Sequence, residues 1–162
     1  MLIRDKFQLW EAECNARLTK LEENEKKLNM LFNNIYNITT HEKELSDACN
    51  SITKADLLRE ICSLISYAVG CMFGRYSLDF DGLVYAGGDW DADKYKTFQP
   101  DRDGILPITD EEYLEDDIIA RLCDWLKAVY GVDSLEENLD FIADALGGKG
   151  NSSREIIRNY FL

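Results

Sequence analysis

Residues 53–74 read TKADLLREICSLISYAVGCMFG, and this stretch decides the fold class. Thr53 and Asp56 stand at capping-box spacing ahead of Leu57, the position from which a helix would run. Leu57, Leu58, Ile61, Cys62, Leu64, Ile65, Ala68, Val69, Met72 and Phe73 then cover nearly the whole circumference of that helix. A helix apolar all round belongs in the middle of a fold, so the spacing predicts a buried central helix from about Thr53 to Phe73. Gly70 and Gly74 either let another part of the chain approach closely or mark where the helix ends.

Upstream, Ile3, Phe7, Trp10, Cys14, Arg17, Leu21, Asn24, Leu28, Leu31 and Ile35 alternate steps of four and three. Eight of these ten are apolar, and no Gly or Pro interrupts the run. That is a heptad seam on one long helix, about 50 Å at 1.5 Å per residue. Packing of this arm on its own protein is the favoured reading, and a homodimer through the same helix is the alternative. Residues 37–52 are polar and read as a connector; the sole histidine, His41, lies there and is expected to be incidental.

Downstream, residues 77–108 lose helical periodicity and hold both prolines, Pro100 and Pro107. A short strand at Leu83–Ala86, a long irregular excursion and a second strand at Gly104–Ile108 are expected. Three more capping boxes follow, Thr109 with Glu112, Ser134 with Glu137 and Ser152 with Glu155, each opening a helix, with Gly131 and Gly147 as carboxy-terminal caps. Residues 147–150 read as a flexible link. The pattern stops at Leu162 without a cap, as a cut chain would. The expected architecture is mainly α: a long amino-terminal helix (1–36), a connector (37–52), and a helical domain (53–162) with an acidic irregular insertion at 79–117 and a small β element.

The chain has 162 residues, 31 acidic and 18 basic, a formal charge of −13, and is 46% hydrophobic. It can bury a core and is not a disordered acidic tail. Residues 79–117 hold 13 acids against three bases, which is ten of the thirteen net charges. Counterion release makes Lys and Arg the currency of DNA binding, so this segment has the wrong sign for it. Neither a membrane span nor a secretory signal is visible, and a cytoplasmic chain is expected. Five cysteines (Cys14, Cys49, Cys62, Cys71, Cys123) share no CxxC spacing, so neither a disulfide framework nor a zinc site is expected.

Asp89, Asp91 and Asp93 alternate like the first ligands of a calcium loop. The sixth and twelfth positions hold Lys94 and Pro100 where Gly and Glu are needed, so the template fails twice. A solvated acidic loop is the better reading; an irregular calcium site using Asp89, Asp91, Asp93 and Asp101 or Asp103 is the weaker one. Gly147–Gly150 lacks phosphate-loop spacing, and there is no GxSxG or HExxH. Adenine methylation needs a glycine-rich turn for the methyl donor and an Asn/Asp-Pro-Pro-Tyr/Phe element for the flipped base. With two separated prolines, this chain cannot perform that reaction alone.

Six blocks nonetheless carry a family resemblance: ENEKKLNMLFNNIYNI (23–38), ISYAVGCMFGRYSLD (65–79), GLVYAGGDWD (82–91), ILPITDEEYLEDDI (105–118), LEENLDFIADALGGKG (135–150) and REIIRNYFL (154–162). In this order they resemble the carboxy-terminal part of the PglX family, adenine-specific DNA methyltransferases of bacteriophage-exclusion (BREX) defence systems. The resemblance implies a large bacterial enzyme using S-adenosylmethionine, whose catalytic and cofactor residues lie upstream and have no matching position here. It implies no cofactor for this segment, and an accessory role in DNA target recognition or in assembly. Candidate DNA contacts are Arg59, Arg75, Lys94, Lys96, Arg154 and Arg158. The alternative is a scaffold docking other defence components through the acidic loop with Tyr85, Trp90, Tyr95 and Phe98. Implied partners are the rest of the methyltransferase chain and, through it, DNA; no membrane is implied.

Overall fold

The computed structural model describes residues 1–36, 53–111 and 113–162. Five α-helices follow in order: α1 (Ile3–Tyr36), α2 (Leu57–Met72), α3 (Ile118–Tyr130), α4 (Leu135–Leu146) and α5 (Ser153–Phe161). Among the described residues there is no strand, so neither Leu83–Ala86 nor Gly104–Ile108 forms the expected β element. The amide of Val84 does donate to the Arg75 carbonyl, but one such bond makes no ladder. The connector 37–52, with His41 and Cys49, lies outside the described residues. No described helix is long and apolar enough to cross a membrane.

The described chain divides into two compact units, Met1–Asp5 with Leu57–Leu162, and Lys6–Asp56. In the first unit α4 touches α2, α3 and α5, and α3 touches all three of the others. Ile61, Ile65, Ala68 and Met72 of α2 meet Ile119, Leu122, Trp125 and Leu126 of α3, with Leu139 and Ile142 of α4 and Ile157 of α5. The all-round apolar circumference of α2 is therefore not all buried: Leu58 and Tyr67 face outward. Four helices share the burial, and α2 offers them one face.

Two of the four capping boxes need correction or completion. Glu112 lies outside the described residues, and α3 opens at Ile118 with Asp117 as its cap, its carboxylate accepting from the Ile119 amide at 2.8 Å. Ser134 precedes α4, yet its hydroxyl turns back to donate to the carbonyls of Tyr130 and Gly131 because a 3₁₀ turn (Val132–Ser134) runs directly into the helix. Ser152 does cap α5, accepting from the Glu155 amide at 3.2 Å, while Glu155 reaches back to the Asn151 amide. Gly131 and Gly147 close α3 and α4 as expected. The Gly147–Gly150 link is packed: a Cβ on Gly148 would stand 3.0 Å from Ile156.

Periodicity gave no hint of Asn138, which is 1% exposed on α4. Its carbonyl oxygen accepts from the Ile3 amide at 2.8 Å, and its amide donates to the Met1 carbonyl and the Ser134 hydroxyl. One side chain thus latches the first turn of α1 to α4. Asn138→Leu leaves the Ile3 amide unsatisfied, and we expect a loss of about 1–3 kcal/mol, read from urea denaturation together with faster hydrogen exchange at Ile3.

Candidate interaction surface around the acidic loop

The acidic segment is irregular but firmly built, and its foundation is the end of α2. Gly74 takes φ +72 and its amide donates to the Cys71 carbonyl, turning the chain out of the helix. The bare face of Gly74 lies under the Trp90 indole, since a Cβ there would stand 2.5 Å from the ring. Trp90 stacks on Tyr95 at 4.7 Å and meets the Tyr85 ring edge-on at 5.1 Å. The Tyr95 hydroxyl donates to the Gly74 carbonyl, which ties the stack to the helix end. Gly70 plays the same part for Tyr76, whose ring packs over it and stacks on Tyr67 at 5.2 Å. What approaches the two glycines is therefore aromatic side chain.

Carboxylates organise the rest of the loop. Asp79 accepts from the amides of Lys96 and Thr97 at 2.7 and 2.9 Å and from the Thr97 hydroxyl, and those bonds from Thr97 hold it below the usual carboxylate range. Asp91 accepts from the Asp93 amide at the start of a 3₁₀ turn (Ala92–Lys94). Asp101 accepts from the amides of Asp103 and Gly104, and its own amide donates to the Met72 carbonyl. Among the described residues no three His, Cys, Asp or Glu side chains gather around a point where a metal ion would fit. Of the aspartates in the calcium alternative, Asp91, Asp101 and Asp103 instead accept from backbone amides of their own turns, so the described loop gives that reading no gathered ligand set.

Tyr95 and Phe98 are buried, at 2% and 7% exposure, and cannot greet a partner as the loop's sequence suggested. Burial also pushes the Tyr95 phenol up, with Asp91 adding to it. Arg121 of α3 lies 4.8 Å over the Phe98 ring and donates to the Gln99 carbonyl, pinning the loop from its far side. Phe80, Leu83, Trp90, Ile105, Ile108, Tyr113 and Leu114 are the large apolar side chains that the described part of the loop leaves exposed.

The six basic candidates stand in different settings. Arg158 is 4% exposed and pairs at 2.5 Å with the fully buried Asp117, donating also to the Thr109 carbonyl. It faces the protein interior, where no phosphate reaches it. Arg154 forms a two-pronged pair with Glu136, and Lys94 stands 3.8 Å from Asp91. Arg59 pairs with its neighbour Glu60 at 3.0 Å and lines an open cleft of about 430 Å³ with Cys62, Ser63, Ser66, Tyr67 and Tyr76. Arg75 and Lys96 are exposed, and Lys96 lies in the field of Asp79.

Asp117 is the functional-looking residue that sequence reading passed over. Burial alone would raise its carboxyl, but the Arg158 guanidinium, the Ile119 amide and the Thr109 hydroxyl together hold it below the ordinary range. A signal was available, since an Asp immediately before the apolar pair Ile118–Ile119 is a helix-start pattern.

The described residues thus form a helical unit that holds an acidic loop locked by aromatic rings. Nearly the whole chain is homologous to a short part of adenine-specific methyltransferases. It is 46% identical over 157 residues, 95% of its length, to "Adenine-specific methyltransferase PglX" of Lacticaseibacillus casei (strain Zhang), and covers 13% of that protein. It is 41% identical over 151 residues, 85% of its length, to "Adenine-specific methyltransferase BrxX" of Escherichia coli O9:H4 (strain HS), covering 12%. The chain thus spans about an eighth of the length of these relatives. No protein-family model matches it.

Proposed function

We propose that this chain acts as a non-catalytic, carboxy-terminal segment of a BREX-type, cytoplasmic adenine-specific DNA methyltransferase, and that its work is assembly and support of the enzyme. The observation that carries this is alignment along 95% of the chain to only 13% of a methyltransferase. Methyl transfer, S-adenosylmethionine binding and adenine extrusion belong on this reading to the other parts of the enzyme. An assembly role is supported over direct phosphate contact by the ion pairs that engage Arg59, Lys94, Arg154 and Arg158, and by the net charge of residues 79–117. Such a field favours protein partners with basic surfaces, other phage-defence components among them.

Direct DNA contact is the second reading, and it rests on the exposed Arg75, Lys96 and Arg59. The two are separated in a PglX-type enzyme. Deleting the matching segment is expected to lower DNA methylation at least tenfold while S-adenosylmethionine binding, measured by calorimetry, is unchanged. Reversing the charges at the positions matching Arg59, Arg75 and Lys96 is expected to change methylation less than twofold. A deletion that leaves methylation intact overturns the proposal; a large loss from charge reversal alone, with fold retained, favours DNA contact instead.

A further inference from the structure

Among the described residues of the second unit, α1 carries an exposed apolar stripe. On α1 the seam positions Leu28, Leu31 and Ile35, with Phe32 and Tyr36 beside them, are each 53–69% exposed, and Phe32 stacks on Tyr36. Upstream the apolar seam is interrupted at Arg17, which is held on its own helix by Glu13 and lies 5.6 Å over the Trp10 ring. We propose that this stripe pairs with the same stripe of a second copy of the chain, as a parallel, in-register two-stranded coiled coil over residues 20–36.

Two features of the heptad choose this occupant and this orientation. With Leu21, Leu28 and Ile35 at the a positions, Asn24 and Leu31 take the d positions. In a parallel, in-register pair Asn24 faces the partner's Asn24, and the two amides can bond across the axis. In an antiparallel pair it faces a leucine or isoleucine, and a polar amide is enclosed with no mate. Charge points the same way. Lys20 at g faces the partner's Glu25 at the following e position, and symmetry makes the pair twice; Lys27 at the next g reaches the partner's Phe32, over which its methylene stem can lie. No like charges meet at these positions. Five half-exposed side chains from each copy bury on the order of 1,000 Å² in total, at the lower edge of specific interfaces. The dimer is therefore weak and reversible, with a dissociation constant of about micromolar order.

Sedimentation equilibrium of the full 162-residue chain, from about 1 to 100 µM, tests this. The expected mass rises with concentration from the 18.6 kDa protomer to twice that. The double variant Leu28→Glu, Leu31→Glu is expected to stay monomeric with an unchanged thermal melt, because both residues are exposed in the protomer. Lys20→Glu and Glu25→Lys should each weaken the dimer about 3- to 10-fold, and the two together should restore it. A protomer mass at 100 µM overturns the proposal, as does a dimer indifferent to Leu28 and Leu31. Failure of the charge swap to restore pairing overturns the parallel register. A PglX-type methyltransferase lacking its matching segment is added as a competitor; if it captures the chain through Leu28 and Leu31 in preference to a second copy, the occupant is that enzyme and the dimer is rejected.

Discussion

Arg158→Met is expected to destabilise the helical unit by about 3–5 kcal/mol, the range for stranding one member of a buried ion pair. The variant keeps most of the side-chain volume on α5 but leaves the Asp117 carboxylate, 0% exposed, without its guanidinium. The Ile119 amide and the Thr109 hydroxyl remain, and two neutral donors do not replace a charge. Asp117→Asn combined with Arg158→Met removes the stranded charge, so the double variant should recover a large part of the loss, as urea midpoints will read. The same pair makes stability depend on acid. Asp117 is depressed in the folded protein, so its contribution is fully present above the ordinary unfolded carboxylate value, about 3.9, and drains away as pH falls below it toward the depressed value. The melting temperatures of the native chain and of Asp117→Asn should accordingly converge below about pH 4. A constant gap across that range would show that the carboxylate's charge is not what matters.

Gly74→Ala should be nearly as damaging, for two additive reasons. A non-glycine residue at φ +72 costs roughly 1–2 kcal/mol, and the new methyl must displace the Trp90 ring, whose Cη2 lies 2.5 Å away, for roughly another 1–3 kcal/mol. Lifting Trp90 breaks its stack on Tyr95, so the near-ultraviolet circular dichroism should change along with the melt. Gly82→Ala is the control: φ is +79 there but open space surrounds the added methyl, so only the backbone cost should appear. Adding Trp90→Ala to Gly74→Ala should remove the steric part and leave the rest. Equal losses at Gly74 and Gly82 would mean that the indole does not rest on the glycine.

Much of the helical architecture was legible. Heptad steps set α1, the run from Leu57 set α2, and Gly131 and Gly147 sit where α3 and α4 stop, because local backbone preference and apolar periodicity act within a few residues of one another. The strand expectations failed because residues 83–86 and 104–108 had β-like composition but no neighbour to complete a ladder, and that is a non-local condition. Thr109 and Ser134 carried cap signals that the tertiary structure redirected: one hydroxyl serves Asp117, the other the preceding turn.

The candidate surface was legible only in its chemistry. Sequence counted the basic residues and the aromatics, and nothing local distinguished Arg158 from Arg75, though one is buried against Asp117 and the other exposed. The sequence places Tyr95 and Phe98 among the aromatics of a docking loop, but both are buried.

By itself, then, the sequence determined a mainly α chain, its helix starts and stops, the uneven placement of its acids and its likeness to a methyltransferase family. Those properties depend on residues within a turn or two, or on the order of blocks along the chain. Only the tertiary structure decided which charges are paired, which glycines carry a ring and which aromatics are hidden. Each of those outcomes joins residues far apart in the chain, 41 positions for Asp117 and Arg158 and 135 for Ile3 and Asn138, and burial turns such a meeting from incidental to decisive.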